Sequence, residues 1–383
     1  MVYSHEPFTT YQTRVLDLLC AIHGSGIGRS ARISRLPGGG FNRIIGITLP
    51  NSPELILRIP RFDGTDVAVQ VSILRALSQS LPIPVVERYD PGSDNALDQP
   101  YILMRRLSGL SLHEALLEMT TDERCHMAKQ VAQLIVKIHA VSLPLGIGPL
   151  SSNKTGKLRI SRFPVDPRDH EGIENGAEDD DDKPPLTTFH SFVSTRITEL
   201  RAHAQQQDPP DTFRIELLDR FSSASSRLLD AYALPHSSIV LFHRDFAARN
   251  ILVVRNTDGA DWSITGVLDW DECEAAPLEF GRVWPGWLWA SDQEGGADFE
   301  ENEWDPDLHL PDDKSEHIKK SFVDEIEELE PGYLEMVRRT RDGCLRLVFE
   351  RARQGFFSNE HVKDLDRIEQ AANKLPDSVR END

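Results

Sequence analysis

A short polar string in the second half of the chain carries residue types that handle protons and metal ions. His243 and Asp245 stand one residue apart, and Asn250 follows Asp245 by five residues. An apolar run comes next, and a second apolar run leads directly into Asp269. Carboxylate and amide oxygens are the ligands that Mg²⁺ prefers, and a carboxylate can also take a proton from a reacting hydroxyl. The combination indicates transfer of a phosphoryl group from a nucleotide.

The elements around this string must bring its side chains together. The β-branched run 251–254 predicts a buried strand, and 262–268 predicts the strand that returns. An Asp-Gly pair lies between them, as a tight hairpin turn favours. An antiparallel hairpin brings its two outer ends together. We therefore expect the polar string and Asp269 to converge at one end of this hairpin.

Each of these side chains has a predicted role. Asn250 and Asp269 are expected to hold Mg²⁺, which neutralises nucleotide phosphates. Asp245 is expected to orient the acceptor hydroxyl and take its proton, while His243 braces the loop backbone. The alternative is a chance match in a structural hairpin that exposes an Asp and an Asn. A lone His-x-Asp would favour that alternative, whereas the full string within a strand–turn–strand pattern favours catalysis.

A glycine turn stands earlier in the chain, within a predicted antiparallel meander of three strands between residues 33 and 59. Gly38, Gly39 and Gly40 fill its first turn. Glycine has no Cβ, so the backbone amides of this turn could approach a phosphate closely. The alternative is a plain flexible turn. The position of the glycines ahead of the catalytic string favours the phosphate-binding interpretation.

Together these motifs resemble the aminoglycoside phosphotransferase and choline kinase-like family, and more narrowly its fungal members. The resemblance covers about 35–289 and is most specific at 243–269. It implies an α+β, bilobal protein-kinase-like fold, with a small antiparallel β-rich N-terminal lobe and a larger, mainly helical C-terminal lobe. On that fold 1–29 would be a helical extension, 30–105 the nucleotide-binding lobe and 106–383 the lobe with the catalytic loop.

The resemblance also implies ATP and Mg²⁺ as cofactors, bound between the lobes. Backbone groups near Met104 and Arg106 would then meet the adenine edge; the alternative for that segment is a buried strand followed by a turn. Kinase-like enzymes carry a Lys on the third strand and a partnering Glu on the next helix, where this chain has Arg58 and Gln70. Arg58 keeps the charge and can fork onto phosphate oxygens, and Gln70 can accept a hydrogen bond from it.

Composition and charge narrow the classes of function. The 383 residues carry a formal net charge of −20, which argues against nucleic acid or an anionic membrane as a main partner. The four cysteines show no metal-ligand spacing and indicate reduced thiols. With no membrane-length apolar run and no signal-peptide pattern, we expect a cytoplasmic protein with no evident protein partner. An acidic stretch, 165–187, is predicted to be a disordered insertion.

The segment after Asp271 bears on the acceptor, because it is too short for the phosphorylated activation loop of a protein kinase. A hydroxyl group on a small molecule is therefore the expected acceptor. Trp284, Trp287 and Trp289 could cage a quaternary ammonium, although such clusters more often pack in a core. The acidic run 324–330 could bind amines, although a solvated helix face is more common. A kinase-like module that binds a metabolite or a protein without catalysis remains the alternative.

Overall fold

The protein combines an antiparallel sheet in its N-terminal part with a larger, mainly helical C-terminal part, as a computed structural model shows. The predicted α+β fold class is confirmed. The structure describes residues 8–36, 40–62, 65–153, 155–165, 185–232, 238–257, 261–289, 306–307, 312–342 and 344–376.

The N-terminal part is a five-stranded sheet flanked by helices. In chain order its elements are α1 (Phe8–His23), α2 (Ser25–Gly28), β1 (Arg32–Arg35), β2 (Asn42–Thr48), β3 (Leu55–Pro60), α3 (Val67–Leu77), β4 (Val86–Asp90) and β5 (Tyr101–Arg105). All neighbouring strands run antiparallel, in the order β1-β2-β3-β5-β4. The expected meander is therefore the first half of this sheet.

Helix α1 closes one face of the sheet. Its apolar residues Tyr11, Val15 and Leu19 are fully buried against Ile45 of β2 and Leu57 of β3. Alternation along a strand sends every second side chain to the same face, so β2 and β3 each supply a row of apolar side chains there. The predicted N-terminal extension is thus packed as a layer of the sheet.

The C-terminal part is helical, with two small sheets inserted. Its elements are β6 (Leu110–Ser111), α4 (Leu112–Leu116), α5 (Thr121–His139), β7 (Gly148–Ser152), β8 (Leu158–Ile160), α6 (Phe189–Gln206), α7 (Thr212–Tyr232), β9 (Ile239–His243), β10 (Ile251–Arg255), β11 (Trp262–Val267), β12 (Cys273–Pro277), α8 (Leu278–Gly281), α9 (Asp313–Leu329), α10 (Tyr333–Asp342), α11 (Leu345–Gln354) and α12 (Asn359–Asn373). One sheet has the order β11-β10-β6 and the other β8-β7-β12-β9.

The predicted hairpin is confirmed as β10 and β11. They pair antiparallel from Ile251 opposite Val267 to Arg255 opposite Trp262, with a register shift after Leu252. The turn itself, at 258–260, lies outside the described residues. The hairpin therefore presents its open end, where β10 begins and β11 finishes, to the polar string.

Strand β12 was not expected from the sequence. It has the composition Cys-Glu-Ala-Ala-Pro, without a β-branched or aromatic residue, so it carries no local strand signal. All five residues are buried between β9 and β7, and tertiary packing decides their conformation. The short segment after Asp271 is thus a core strand, antiparallel to the strand that ends at His243.

The ends of the predicted disordered insertion belong to the fold. Val165 packs against the core of the C-terminal helices, and Leu186 is buried there. The Leu186 carbonyl also accepts a hydrogen bond from the Ile147 N–H at 2.8 Å. The prediction was wrong at these two boundaries because apolar residues on either side of the acidic run reach the core. The acidic run itself, within 166–184, lies outside the described residues.

Four charged residues form a buried group between β9, β12 and α11, which we call the ion cluster: Arg244, Glu274, Glu350 and Arg353. Glu274 on β12 is only 2% exposed and lies 3.1 Å from the Arg353 guanidinium and 3.6 Å from that of Arg244. Burial raises the pKa of Glu274 to about 7 despite both arginines. The folded protein therefore binds a proton at Glu274 more tightly than the unfolded chain does.

Replacing Glu274 by Gln is expected to change how stability depends on pH. The ordinary pKa of 4.5 is raised on folding, so stability from this group is complete below about pH 4.5 and is lost as the pH rises through about 7. Relative to wild type, the free energy of unfolding of Glu274→Gln should rise by about 2 kcal/mol between about pH 5 and about pH 8. Denaturant unfolding of both proteins across this range measures the difference. Parallel curves would show that Glu274 is ionised throughout.

Candidate active site at the end of the β10–β11 hairpin

The polar string and Asp269 meet at the open end of the hairpin. Beyond the pair Ile251–Val267, the Leu268 N–H donates to the Asn250 carbonyl at 2.8 Å, which extends the ladder by one step. Asp269 then adopts φ 62°, in the left-handed region that few residues other than glycine adopt. Such strained backbone persists where the surrounding structure enforces it, and it clusters at functional sites.

Asn250 holds Asp245 through its side-chain amide. The buried Nδ2 of Asn250 donates to the Asp245 carboxylate Oδ2 at 2.8 Å and to the Asp245 backbone carbonyl at 2.9 Å. Both donor positions of the amide are thereby used, and its Oδ1 remains as an acceptor. An amide oxygen in this place suits a hard cation, while the nitrogen fixes the base.

Arg249 engages the other oxygen of the same carboxylate. Its guanidinium donates to Asp245 Oδ1, although 61% of the Arg249 side chain is exposed. The two Asp245 oxygens therefore have different partners, one buried and one on the open side of the loop. Sequence analysis missed Arg249, although its spacing of four residues from Asp245 is a charge pair visible in the sequence.

His243 is buried behind the loop. Its Nε2 donates to the Leu268 carbonyl at 2.9 Å, and its ring lies edge-on to Trp270 with centroids 4.6 Å apart. Burial lowers the pKa of the imidazole, which favours the neutral ring. The side chain thus ties the residue two before Asp245 to the residue before Asp269, in a position to brace the loop.

Arg58 reaches the site from the N-terminal sheet. It lies on β3, opposite Ile102, and its buried guanidinium forms an ion pair with the Asp271 carboxylate. The hydrogen bond that Gln70 could accept from Arg58 is not formed. Within the described part of the chain, Gln70 Oε1 and Arg58 Nε are buried without a hydrogen-bond partner. A carboxylate is the stronger acceptor for a guanidinium, and the structure pairs Arg58 with Asp271 accordingly.

Negative charge is concentrated around Asp269. Burial raises the pKa of its carboxyl, and Asp271, Asp245 and Glu272 raise it further, against the opposing effect of Arg58. A divalent cation would relieve this repulsion. No group of three or more His, Cys, Asp or Glu side chains that could hold a metal occurs in the described ranges. Asn250 and Asp269 alone fit Mg²⁺, which usually binds one or two protein oxygens together with phosphates and water.

The predicted nucleotide contacts are only partly described. Gly38 and Gly39 lie outside the described residues. At Gly40 a Cβ would meet nothing within 4 Å, so this end of the turn is open. Met104 is buried in β5, between β3 and β4. The backbone N–H groups of Arg105 and Arg106 donate to carbonyls of neighbouring segments at 2.9 Å each, so they are already paired.

Two of the three tryptophans are core residues. Trp284 and Trp289 are each 4% exposed, lie 5.1 Å apart between ring centroids and both pack on Phe322. They do not form a cage. Trp287 is half-buried, and its ring centroid lies 6.3 Å from that of Phe246, the residue after Asp245. Of the three, Trp287 is the one placed beside the catalytic loop.

The acidic run on α9 serves the fold. The Glu327 carboxylate accepts from the N–H groups of Gly332 and Leu334 at 2.9 and 2.6 Å, which caps the turn into α10. Glu330 binds the His139 imidazole at 2.7 Å. Helix α9 packs along α5. These carboxylates are engaged by the protein and are not free to bind an amine.

Comparison with known proteins identifies related chains. Residues 32–305 match the model of the phosphotransferase enzyme family, APH. A subtelomeric hrmA-associated cluster protein of Aspergillus fumigatus is 26% identical over 64% of this chain and 58% of its own. Altered inheritance of mitochondria protein 9 of Meyerozyma guilliermondii is 28% identical over 37% of this chain and 24% of its own. The chain thus spans at most about three fifths of these relatives.

Solved structures of similar shape include two kinds of kinase. The aminoglycoside phosphotransferase APH(4)-Ia is 16% identical, covering 98% of this chain and 100% of its own, with a TM-score of 0.46. An ethanolamine kinase of Plasmodium vivax is 11% identical, covering 92% and 83%, with a TM-score of 0.42. No helix in the described ranges has the length and apolar character that a membrane span requires.

Proposed function

Because the chain belongs to the phosphotransferase enzyme family, we propose that it transfers the γ-phosphoryl group of ATP to a hydroxyl group of a small molecule. The observation that carries the proposal is the meeting of Asp245, Asn250 and Asp269 at one end of the hairpin, with Asp245 held by the Asn250 amide. The bond between the γ-phosphorus and ADP breaks, and a bond to the acceptor oxygen forms. The acceptor proton goes to Asp245.

The remaining groups bind and orient the reactants. Mg²⁺, when bound by Asn250 and Asp269, neutralises charge on the phosphates. Arg58 is the cation of the N-terminal sheet that reaches this place, and its guanidinium suits two phosphate oxygens. The glycine turn at 38–40 is proposed as the phosphate lid, and the backbone at 104–106 as the adenine contact. The free cysteines fit a reducing compartment, and we propose a cytoplasmic location.

Replacing Arg58 by Met is expected to raise the KM for ATP by about 10- to 100-fold, because a charge-assisted hydrogen bond to phosphate is lost. Arg58→Lys keeps the charge and should lose less. Asp271→Asn should lower the KM for ATP, since it frees the guanidinium from its ion pair. Initial rates at varied ATP measure all three. Arg32→Met, on the exposed edge strand β1, is the matched control.

The response to Arg58→Met also separates two functions. A catalytically inactive, metabolite-binding module is the second candidate, favoured by the ion pair that occupies Arg58. If ATP affinity is the same in wild type, Arg58→Met and Asp271→Asn, then Arg58 does not contact the nucleotide. That outcome would favour the binding module.

Release of ADP in the presence of a panel of hydroxylated metabolites tests the proposed reaction. The panel should contain sugars, amino sugars, amino alcohols and hydroxy acids, each with ATP and Mg²⁺. The proposal expects at least one acceptor to stimulate ADP release by wild type and not by Asp269→Asn. ADP release that is equal in both proteins, or absent with every acceptor while ATP binds, would sink it.

A further inference from the structure

The ion cluster lies directly behind the catalytic loop. Arg244 immediately precedes Asp245, and its guanidinium is 3.0 Å from Glu350 and 3.6 Å from Glu274. Arg353 completes the group, 3.1 Å from Glu274 and 3.7 Å from Glu350. The side chain of one loop residue is thus held from behind while the side chain of the next faces the reactants.

Helix α11, which carries Glu350 and Arg353, is a firm support. Phe349 is buried and stacks on Phe280 with centroids 4.8 Å apart and planes within 15°. Val348 and Ala352 are fully buried in the same core. A helix fixed by close packing on one face presents its other side chains at defined positions. Arg244 is therefore anchored to the core of the C-terminal helices.

The same cluster also holds the segment that follows Asp269. Glu274 comes three residues after Asp271, on β12, and Cys273 next to it pairs with His243 on β9. Through Glu274 the cluster grips the strand leaving the metal side of the site, and through Arg244 it grips the loop that carries the base. Movement of α11 would shift both together.

We propose that Arg244 is a positioning residue: its ion pairs with Glu350 and Glu274 hold the catalytic loop against α11, and so set the place of Asp245 relative to the phosphoryl group and acceptor. The inference rests on the proposed function, which makes Asp245 the base. A displacement of about 1 Å in a reacting group costs roughly 10²-fold in rate. Loss of this anchor therefore affects turnover more than nucleotide binding.

Arg244→Met, Arg244→Lys and Glu350→Gln test the anchor. Arg244→Met removes the charge, Arg244→Lys keeps it, and Glu350→Gln keeps the shape of the partner while removing its charge. Arg220→Met is the matched control, because Arg220 joins α7 to α12 through Glu369 at 2.7 Å, away from the loop. Thermal unfolding confirms that each variant is folded before kcat, KM for ATP and amide hydrogen exchange at 243–250 are measured.

The expected result is a kcat lower by about 10²-fold in Arg244→Met, with KM for ATP within about twofold of wild type. Arg244→Lys should recover most of the loss, and Glu350→Gln should lie between. Exchange at 243–250 should be faster in Arg244→Met and Glu350→Gln than in Arg220→Met. If Arg244→Met does not fold, Glu350→Gln carries the test, because it leaves Arg244 and Glu274 paired.

Turnover within about threefold of wild type in folded Arg244→Met or Glu350→Gln would overturn the proposal. So would equal losses in these variants and in Arg220→Met, which would indicate a merely stabilising cluster. A wild-type protein without any phosphoryl transfer would defeat the proposed function instead. In that case unchanged hydrogen exchange at 243–250 would still refute the anchor, and faster exchange would support it.

Discussion

Asp245→Asn is expected to lower turnover by about 10³- to 10⁴-fold while leaving the affinity for ATP and Mg²⁺ nearly unchanged. Asn has almost the shape of Asp, and the Asn250 amide can still donate to its side-chain oxygen. What is lost is the group that takes the acceptor proton. Single-turnover rates, with ATP affinity from calorimetry, separate the two effects.

Arg249→Met is the natural companion of this variant. It removes the second partner of the Asp245 carboxylate and leaves the carboxylate in place. We expect it to lose far less turnover than Asp245→Asn, because the base itself survives. Parallel loss of ATP binding and turnover in Asp245→Asn would contradict the assignment of Asp245 as the base.

Asp269→Asn is expected to lower turnover by on the order of 10³-fold and to raise the Mg²⁺ concentration needed for half-maximal activity. The substitution removes one negative charge from the predicted metal ligands. Asn is chosen over Ala because residue 269 has φ 62°, a conformation that Asn tolerates better. A loss of rate in Ala could otherwise reflect backbone rearrangement.

The matched control for this variant is Glu272→Gln. Glu272 is exposed, lies near Asp269 and contributes to the same negative field, and it is not a predicted ligand. Magnesium titration of activity in both variants makes the comparison. If Asp269→Asn and Glu272→Gln respond to Mg²⁺ alike, the metal role of Asp269 is wrong and only the general field matters.

The parts of the site that the sequence predicted are local. The hairpin is encoded by two β-branched runs around an Asp-Gly turn, and an antiparallel hairpin places its outer ends together by geometry alone. The N-cap of α3 is equally local: Asp66 accepts from the Val69 N–H at 3.0 Å. In both cases, residues within one turn or one hairpin determine the conformation.

The parts that the sequence did not predict depend on distant contacts. Arg58 and Asp271 are separated by 213 positions, so no local pattern pairs them in preference to Arg58 and Gln70. Strand β12 has no strand-forming residues and owes its conformation to burial between two other strands. Arg244 meets Glu350 across 106 positions, and only the packing of α11 makes that contact visible.

The acceptor side shows the same division. The three tryptophans share one short segment, yet only Trp287 lies beside Phe246, whereas the other two fill the core. The acidic run on α9 looked like a surface for amines, but two of its carboxylates serve a turn and a buried histidine. Spacing along a helix gives the face of a side chain and not the partner that occupies it.

Transfer of label from γ-labelled ATP into a small-molecule extract tests the central claim most directly. The purified protein is incubated with labelled ATP, Mg²⁺ and the extract, and labelled products are separated by size and identified by mass spectrometry. The account predicts label in a low-molecular-weight phosphate ester with wild type, and none with Asp245→Asn. Label that stays on ATP, or appears only as inorganic phosphate or on protein, would contradict it.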